Sequence, residues 1–135
     1  MTTTGTKLSQ WDALLLETLR SLGWTNEELL GKVKAGELPE AKYGALAELA
    51  NNEPETYETA VTQGYQIKYN TVRGIRSWIA VRFGREPELR LEEGQEAVRA
   101  ALSAEEKELL ASVLSYGWAI REDGEGVCLV EPIQR

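Results

Sequence analysis

The chain has no histidine, a single cysteine and no long apolar run. Each absence removes a class of chemistry. Without histidine there is no imidazole base, no Ser-His or Cys-His nucleophile pair and none of the usual zinc sites. The lone thiol, Cys128, cannot form an internal disulfide, which suits a reducing compartment. The N-terminus, Met-Thr-Thr-Thr-Gly-Thr-Lys, lacks a signal-peptide core. No stretch approaches the roughly 18–20 apolar residues of a membrane span. No phosphate-binding Gly-rich loop, dinucleotide fingerprint or EF-hand loop is present. The expectation is a cytoplasmic, non-enzymatic protein with no cofactor, no bound metal and no membrane partner.

At 135 residues the chain is long enough for one self-sufficient core. Residues 1–8 read as a flexible tail, and 9–135 as a single domain. Four tryptophans are generous for this length and are expected to anchor the core or mark an interface.

Local signals place the helices. Ser9 with Asp12, Thr25 with Glu28, and Ser103 with Glu106 have the spacing by which a hydroxyl and a carboxylate cap a helix start. They predict helices over 10–22, 26–35 and 104–116. Pro39 and Pro54 suit the first turns of helices over 39–51 and 54–63. Gly23-Trp24 and Gly117-Trp118 read as a repeated helix ending rather than a domain repeat. Gly94 precedes what reads as a short helical stretch, 95–102. Apolar alternation over 118–131, broken by Glu122-Asp123-Gly124-Glu125-Gly126, predicts a β-hairpin. A two-residue Asp-Gly turn would oppose Glu122 and Glu125, so a longer loop is expected. The fold class is α+β, mostly α, a helical domain with a C-terminal hairpin.

Charge is sorted unevenly. Residues 59–85 carry five basic side chains, Lys68, Arg73, Arg76, Arg82 and Arg85, and no acidic one, in a chain of net charge −7. A helix over 70–83 with Asn70 as its N-cap would put Val72, Ile75, Trp78 and Ile79 on one face. Asn70, Arg73, Arg76, Ser77 and Ala80 would share the other. Guanidinium forks between small polar residues suit phosphates and base edges.

These residues carry a resemblance. Helix 54–63, the break from Gly64 to Tyr69, and helix 70–83 resemble a helix-turn-helix. The run Asn70-Thr71-Val72-Arg73 with Ile75 resembles the start of recognition helices in bacterial winged-helix regulators. The resemblance implies duplex DNA as partner, with Asn70, Thr71, Arg73, Arg76 and Ser77 facing a major groove. It also implies a wing from Arg82 to Leu91 that brings Arg82, Arg85 or Arg90 to the backbone, and a homodimer matching two half-sites. Lys68 joins the candidate set by charge.

Other readings stay open. Arg73 and Arg76 suit a solvated face or ion pairs with acidic helices. The whole island suits an acidic protein surface, which would make the protein an adaptor or an inhibitor of a larger machine. Tyr65 and Tyr69 suit either turn packing or contact with nucleic acid. Trp78 reads as core, and Cys128 as a packed or surface-strand thiol rather than a reactive one.

Overall fold

A computed structural model describes residues 6–133. The fold is α+β and mostly helical. Among the described residues there are six α-helices, a short two-stranded ribbon and a four-stranded antiparallel sheet. By internal contacts the chain divides into two compact units, residues 1–66 and 67–135.

The first unit holds β1 (Lys7–Leu8), α1 (Gln10–Ser21), α2 (Asn26–Ala35), a 3-10 turn (Ala41–Tyr43), α3 (Gly44–Asn52) and α4 (Pro54–Thr62). β2 (Gln66–Ile67) straddles the division, and within the first unit Gln66 N–H donates to Thr6 O. The tail expectation is corrected here: Leu8 is buried in β1, while residues 1–5 lie outside the described residues. An isolated Leu after a polar run gives no strand signal, because two-residue strands exist only through their partner.

Caps fix the helix boundaries as the spacing predicts. Ser9 Oγ accepts from Asp12 N–H at 3.0 Å. Thr25 and Glu28 close a reciprocal box, Thr25 Oγ1 accepting from Glu28 N–H and Glu28 Oε1 from Thr25 N–H. That bond, and Lys32 beside it, lower the Glu28 carboxyl below its ordinary range. α1 ends in a left-handed Gly23, φ 97°, where Trp24 N–H reaches back to Leu19 O and Gly23 N–H to Arg20 O. A side chain at that φ would clash with its own backbone, so glycine is required there. The interior is built from Leu16, Leu19, Leu29, Val33, Tyr43, Leu46 and Ala60.

Two polar ties cross this apolar interior. Glu17 accepts from Tyr65 Oη at 2.6 Å and from Arg20 Nη1 at 3.0 Å. Arg20 Nη2 donates to Val61 O at 2.7 Å, which fastens α1 to the end of α4. Tyr57 Oη donates to Leu29 O at 2.6 Å, and burial raises its phenol above the ordinary range.

The second unit holds α5 (Val72–Phe83), β3 (Glu88–Arg90), β4 (Ala97–Ala101), α6 (Ala104–Val113), β5 (Trp118–Glu122) and β6 (Val127–Pro132). The sheet order is β3-β4-β6-β5, antiparallel throughout. Each helix is followed by a hairpin, so the unit is an αββ motif written twice. Equivalent boundaries lie 30 residues apart: Phe83 and Val113, Glu88 and Trp118, Ala97 and Val127. Arg99 and Leu129, also 30 apart, pair directly at the centre of the sheet. The two tips read Glu92-Glu93-Gly94 and Glu122-Asp123-Gly124.

Three sequence expectations change in this unit. Residues 95–102 are not helical; Ala97–Ala101 form central strand β4, hydrogen-bonded on both sides. Burial of Ala97, Val98 and Ala100 overrides alanine's helical preference once both edges are paired. α6 stops at Val113, three residues before Tyr116, and Leu114 is extended, so Gly117-Trp118 is a strand entrance rather than a helix ending. The N-cap of α5 is Thr71, whose Oγ1 accepts from Gly74 N–H at 3.1 Å, and not Asn70. The C-terminal hairpin stands where expected. Its loop is longer than two residues, as the opposed glutamates require, and Glu122 faces Cys128 across the ladder. Cys128 itself is buried.

Candidate nucleic-acid interface

The inner face of α5 consists of Ile75, Trp78 and Ile79, each 1% exposed or less. Trp78 meets Phe83 edge to face, ring centres 5.5 Å apart, and α5 packs on β3 and β4. Trp78 is therefore core, and no base can stack on it. This burial turns Arg73 outward and leaves Arg76, Ser77 and Ala80 half-buried beside it, the split that the 3.6-residue period predicts.

The eight sequence candidates separate by environment. Lys68, Thr71, Arg73 and Arg82 are exposed. Among the described residues, Lys68 and Arg73 form no ion pair. The Arg82 guanidinium lies 6.0 Å from the Phe83 ring centre. Arg76 Nη2 is 3.4 Å from Glu86 Oε1, a stretched pair whose carboxylate is 86% exposed. Such a contact is worth little and leaves Arg76 available to a stronger anion.

Arg85 and Asn70 do other work. Arg85 Nη1 bonds the Glu106 carboxylate and donates to Ala101 O at 3.0 Å. Glu106 is also the capping residue that accepts from Ser103 N–H at 2.9 Å. The Arg85 bond first, and the Ser103 bond second, hold the Glu106 carboxyl below its ordinary range. Arg85 thus fastens the end of α5 to the start of α6.

Asn70, expected on the outer face, is buried. Its Oδ1 accepts from Ser115 N–H at 2.7 Å, and its own N–H donates to Ser115 Oγ at 3.2 Å. The partner is 45 residues away, so no local pattern could reveal the pair. Asn70→Ala is expected to destabilise the protein by about 1–3 kcal/mol, because Ser115 N–H loses its acceptor in a dry place. Urea unfolding followed by circular dichroism checks this. Ser115→Ala, which removes only the longer bond, should cost less.

The clamp organises its surroundings. Tyr69, immediately before Asn70, is 78% exposed, and Tyr116, immediately after Ser115, is 89% exposed. Tyr65, the other turn tyrosine, is buried on Glu17. Tyr116 escapes the sequence reading because a helix through 116 would carry it on a regular face. Its only signal is an aromatic residue just ahead of a glycine.

The expected wing, 82–91, contains strand β3, which pairs with β4. Arg90 Nε lies 3.4 Å from Glu88, and the tip beyond carries Glu92 and Glu93. Of the two helices read as a helix-turn-helix, α4 belongs to the first unit and α5 to the second. Among the described residues no three His, Cys, Asp or Glu side chains gather as a metal site. No helix among them is long and apolar enough to cross a membrane. The chain matches no protein-family model, no curated protein and no solved structure.

Proposed function

We propose that the protein is a small non-enzymatic nucleic-acid-binding or regulatory protein of the cytoplasm, acting through the start and outer face of α5. The observation that carries this is the exposure of Lys68 and Arg73, with half-buried Arg76 one turn on, along a stretch, 59–85, that contains no carboxylate. In a chain of net charge −7, a segment of this kind offers an anion positive charge with no carboxylate of its own. Thr71 stands among these cations, and Arg82 extends the basic surface toward the helix end.

The purified 135-residue chain is expected to bind short DNA or RNA at about 50 mM salt and to lose most of that binding at about 200 mM. With three cations engaged, log K should fall against log salt with a slope of about −2 to −3. Arg73→Glu with Arg76→Glu should abolish binding while leaving the circular dichroism spectrum intact, since neither side chain is buried. A salt-independent signal, or one that survives the reversal, overturns the reading.

A second reading is a protein-interaction module. It is favoured by Trp11, in the first turn of α1, and Leu22, just past its end, which are 53% and 58% exposed. A pull-down that retains its partner in the Arg73/Arg76 reversal supports that alternative.

A further inference from the structure

We infer that the nucleic acid this surface takes is a single strand, with the rings of Tyr69 and Tyr116 serving as a stacking platform beside Lys68 and Arg73. The inference rests on the nucleic-acid reading above and adds the strand class and the base contacts.

Three observations carry it. The Asn70–Ser115 clamp fixes two backbone segments to each other with two hydrogen bonds, and both residues are buried. One Cα step along each segment, about 3.8 Å, stands an exposed tyrosine. Phenol rings carry a large apolar surface that a folded chain ordinarily covers. Here a buried polar clamp leaves two of them exposed, one on each segment.

The second observation is electrostatic. The clamp joins the two segments 59–85 and 109–121, and neither contains an aspartate or glutamate. The chain has 22 acidic residues, and none of them lies on either of the two segments that the clamp holds together. Lys68 directly precedes Tyr69, and Arg73 lies in the first turn of α5. Cations together with exposed rings suit the phosphates and bases of a single strand.

The third observation separates single strand from duplex. A duplex hides its base faces and offers only edges, so exposed phenol rings would meet nothing to stack on. The residue best suited to read an edge, Asn70, is buried in the clamp. The carboxylate of Glu86 projects into solvent beside Arg76, and Glu92 and Glu93 lie exposed at the tip of the following hairpin. A rigid duplex laid along α5 and that hairpin would bring its phosphates against these acids. A flexible strand can follow the tyrosines and avoid them.

The test uses the full chain and a fluorescein-labelled DNA strand of about 12 nucleotides, the same strand annealed to its complement, and the RNA strand of the same sequence, at about 50 mM salt. Anisotropy should show one or both single strands binding at least about tenfold more tightly than the duplex. Tyr69→Ala and Tyr116→Ala should each weaken single-strand binding by roughly 5- to 100-fold while leaving the salt slope unchanged. Tyr69→Phe and Tyr116→Phe, which keep the ring, should bind within about twofold of the parent. Both tyrosines are exposed, so folding is preserved, and circular dichroism confirms it. Duplex binding equal to or tighter than single-strand binding, with the alanine variants neutral and the Arg73/Arg76 reversal inactive, overturns this inference and leaves the nucleic-acid reading standing. Absence of binding to all three probes overturns both.

Discussion

Trp78→Ala is expected to destabilise the second unit by about 3–5 kcal/mol, the largest effect of any single truncation on α5. The side chain is 1% exposed and meets Phe83 edge to face with planes at 89°. Such a ring pair adds about 0.5–1.5 kcal/mol to the simple loss of buried area. Ile75 and Ile79 flank it on the same face, and both are themselves buried. The measurement is urea unfolding of the full chain by far-UV circular dichroism. Three other tryptophans make fluorescence a mixed signal. Because α5 covers β3 and β4, the loss should extend to the four-stranded sheet and leave the helical first unit less affected. A midpoint shift corresponding to less than about 1 kcal/mol would show that the indole is not a structural anchor, and would reopen a surface role for it.

The contrast between Trp78 and Tyr69 explains what was legible in the sequence. Trp78 belongs to a run whose apolar residues recur at helical spacing, so its burial follows from local pattern. The three capping pairs were legible for the same reason: donor and acceptor lie three residues apart. Tyr69 lies in a turn, where spacing gives no side. It is exposed because the next residue, Asn70, is drawn inward by Ser115, which is remote in sequence. Arg85 was read as a phosphate contact for want of knowing that Glu106, 21 residues on, would hold it.

The sheet tells the same story at larger scale. The β5–β6 hairpin was legible because its strands alternate and its turn is rich in glycine. β4 was not, because Ala97-Val98-Arg99-Ala100-Ala101 has helix-forming composition and becomes a strand only when β3 and β6 bond its two edges. The 30-residue αββ repeat was also hidden. Its helices share no pattern of charges, and its clearest trace is the pair of acidic, glycine-bearing tips.

Arg20→Ala is expected to destabilise the first unit by about 3 kcal/mol, the low end of the cost of breaking a buried ion pair. Glu17 is 2% exposed, so its charge cannot recover solvation when the guanidinium leaves. Arg20 is 28% exposed, which softens the loss, and the Tyr65 hydroxyl still donates to the carboxylate. The same substitution also strands Val61 O, which accepts from Arg20 Nη2 at the end of α4. Denaturation of the full chain by urea measures the effect. The decisive comparison is with apolar replacement. Glu17→Leu with Arg20→Met removes both charges together and should recover part of the loss, because no uncompensated ion remains. Recovery stays incomplete while the buried Tyr65 hydroxyl lacks its acceptor, at a cost of about 1–3 kcal/mol. Adding Tyr65→Phe should remove that penalty. If the double variant is instead less stable than Arg20→Ala, the carboxylate contributes net stability here, and the network holds α1 to α4 by attraction rather than by geometry alone.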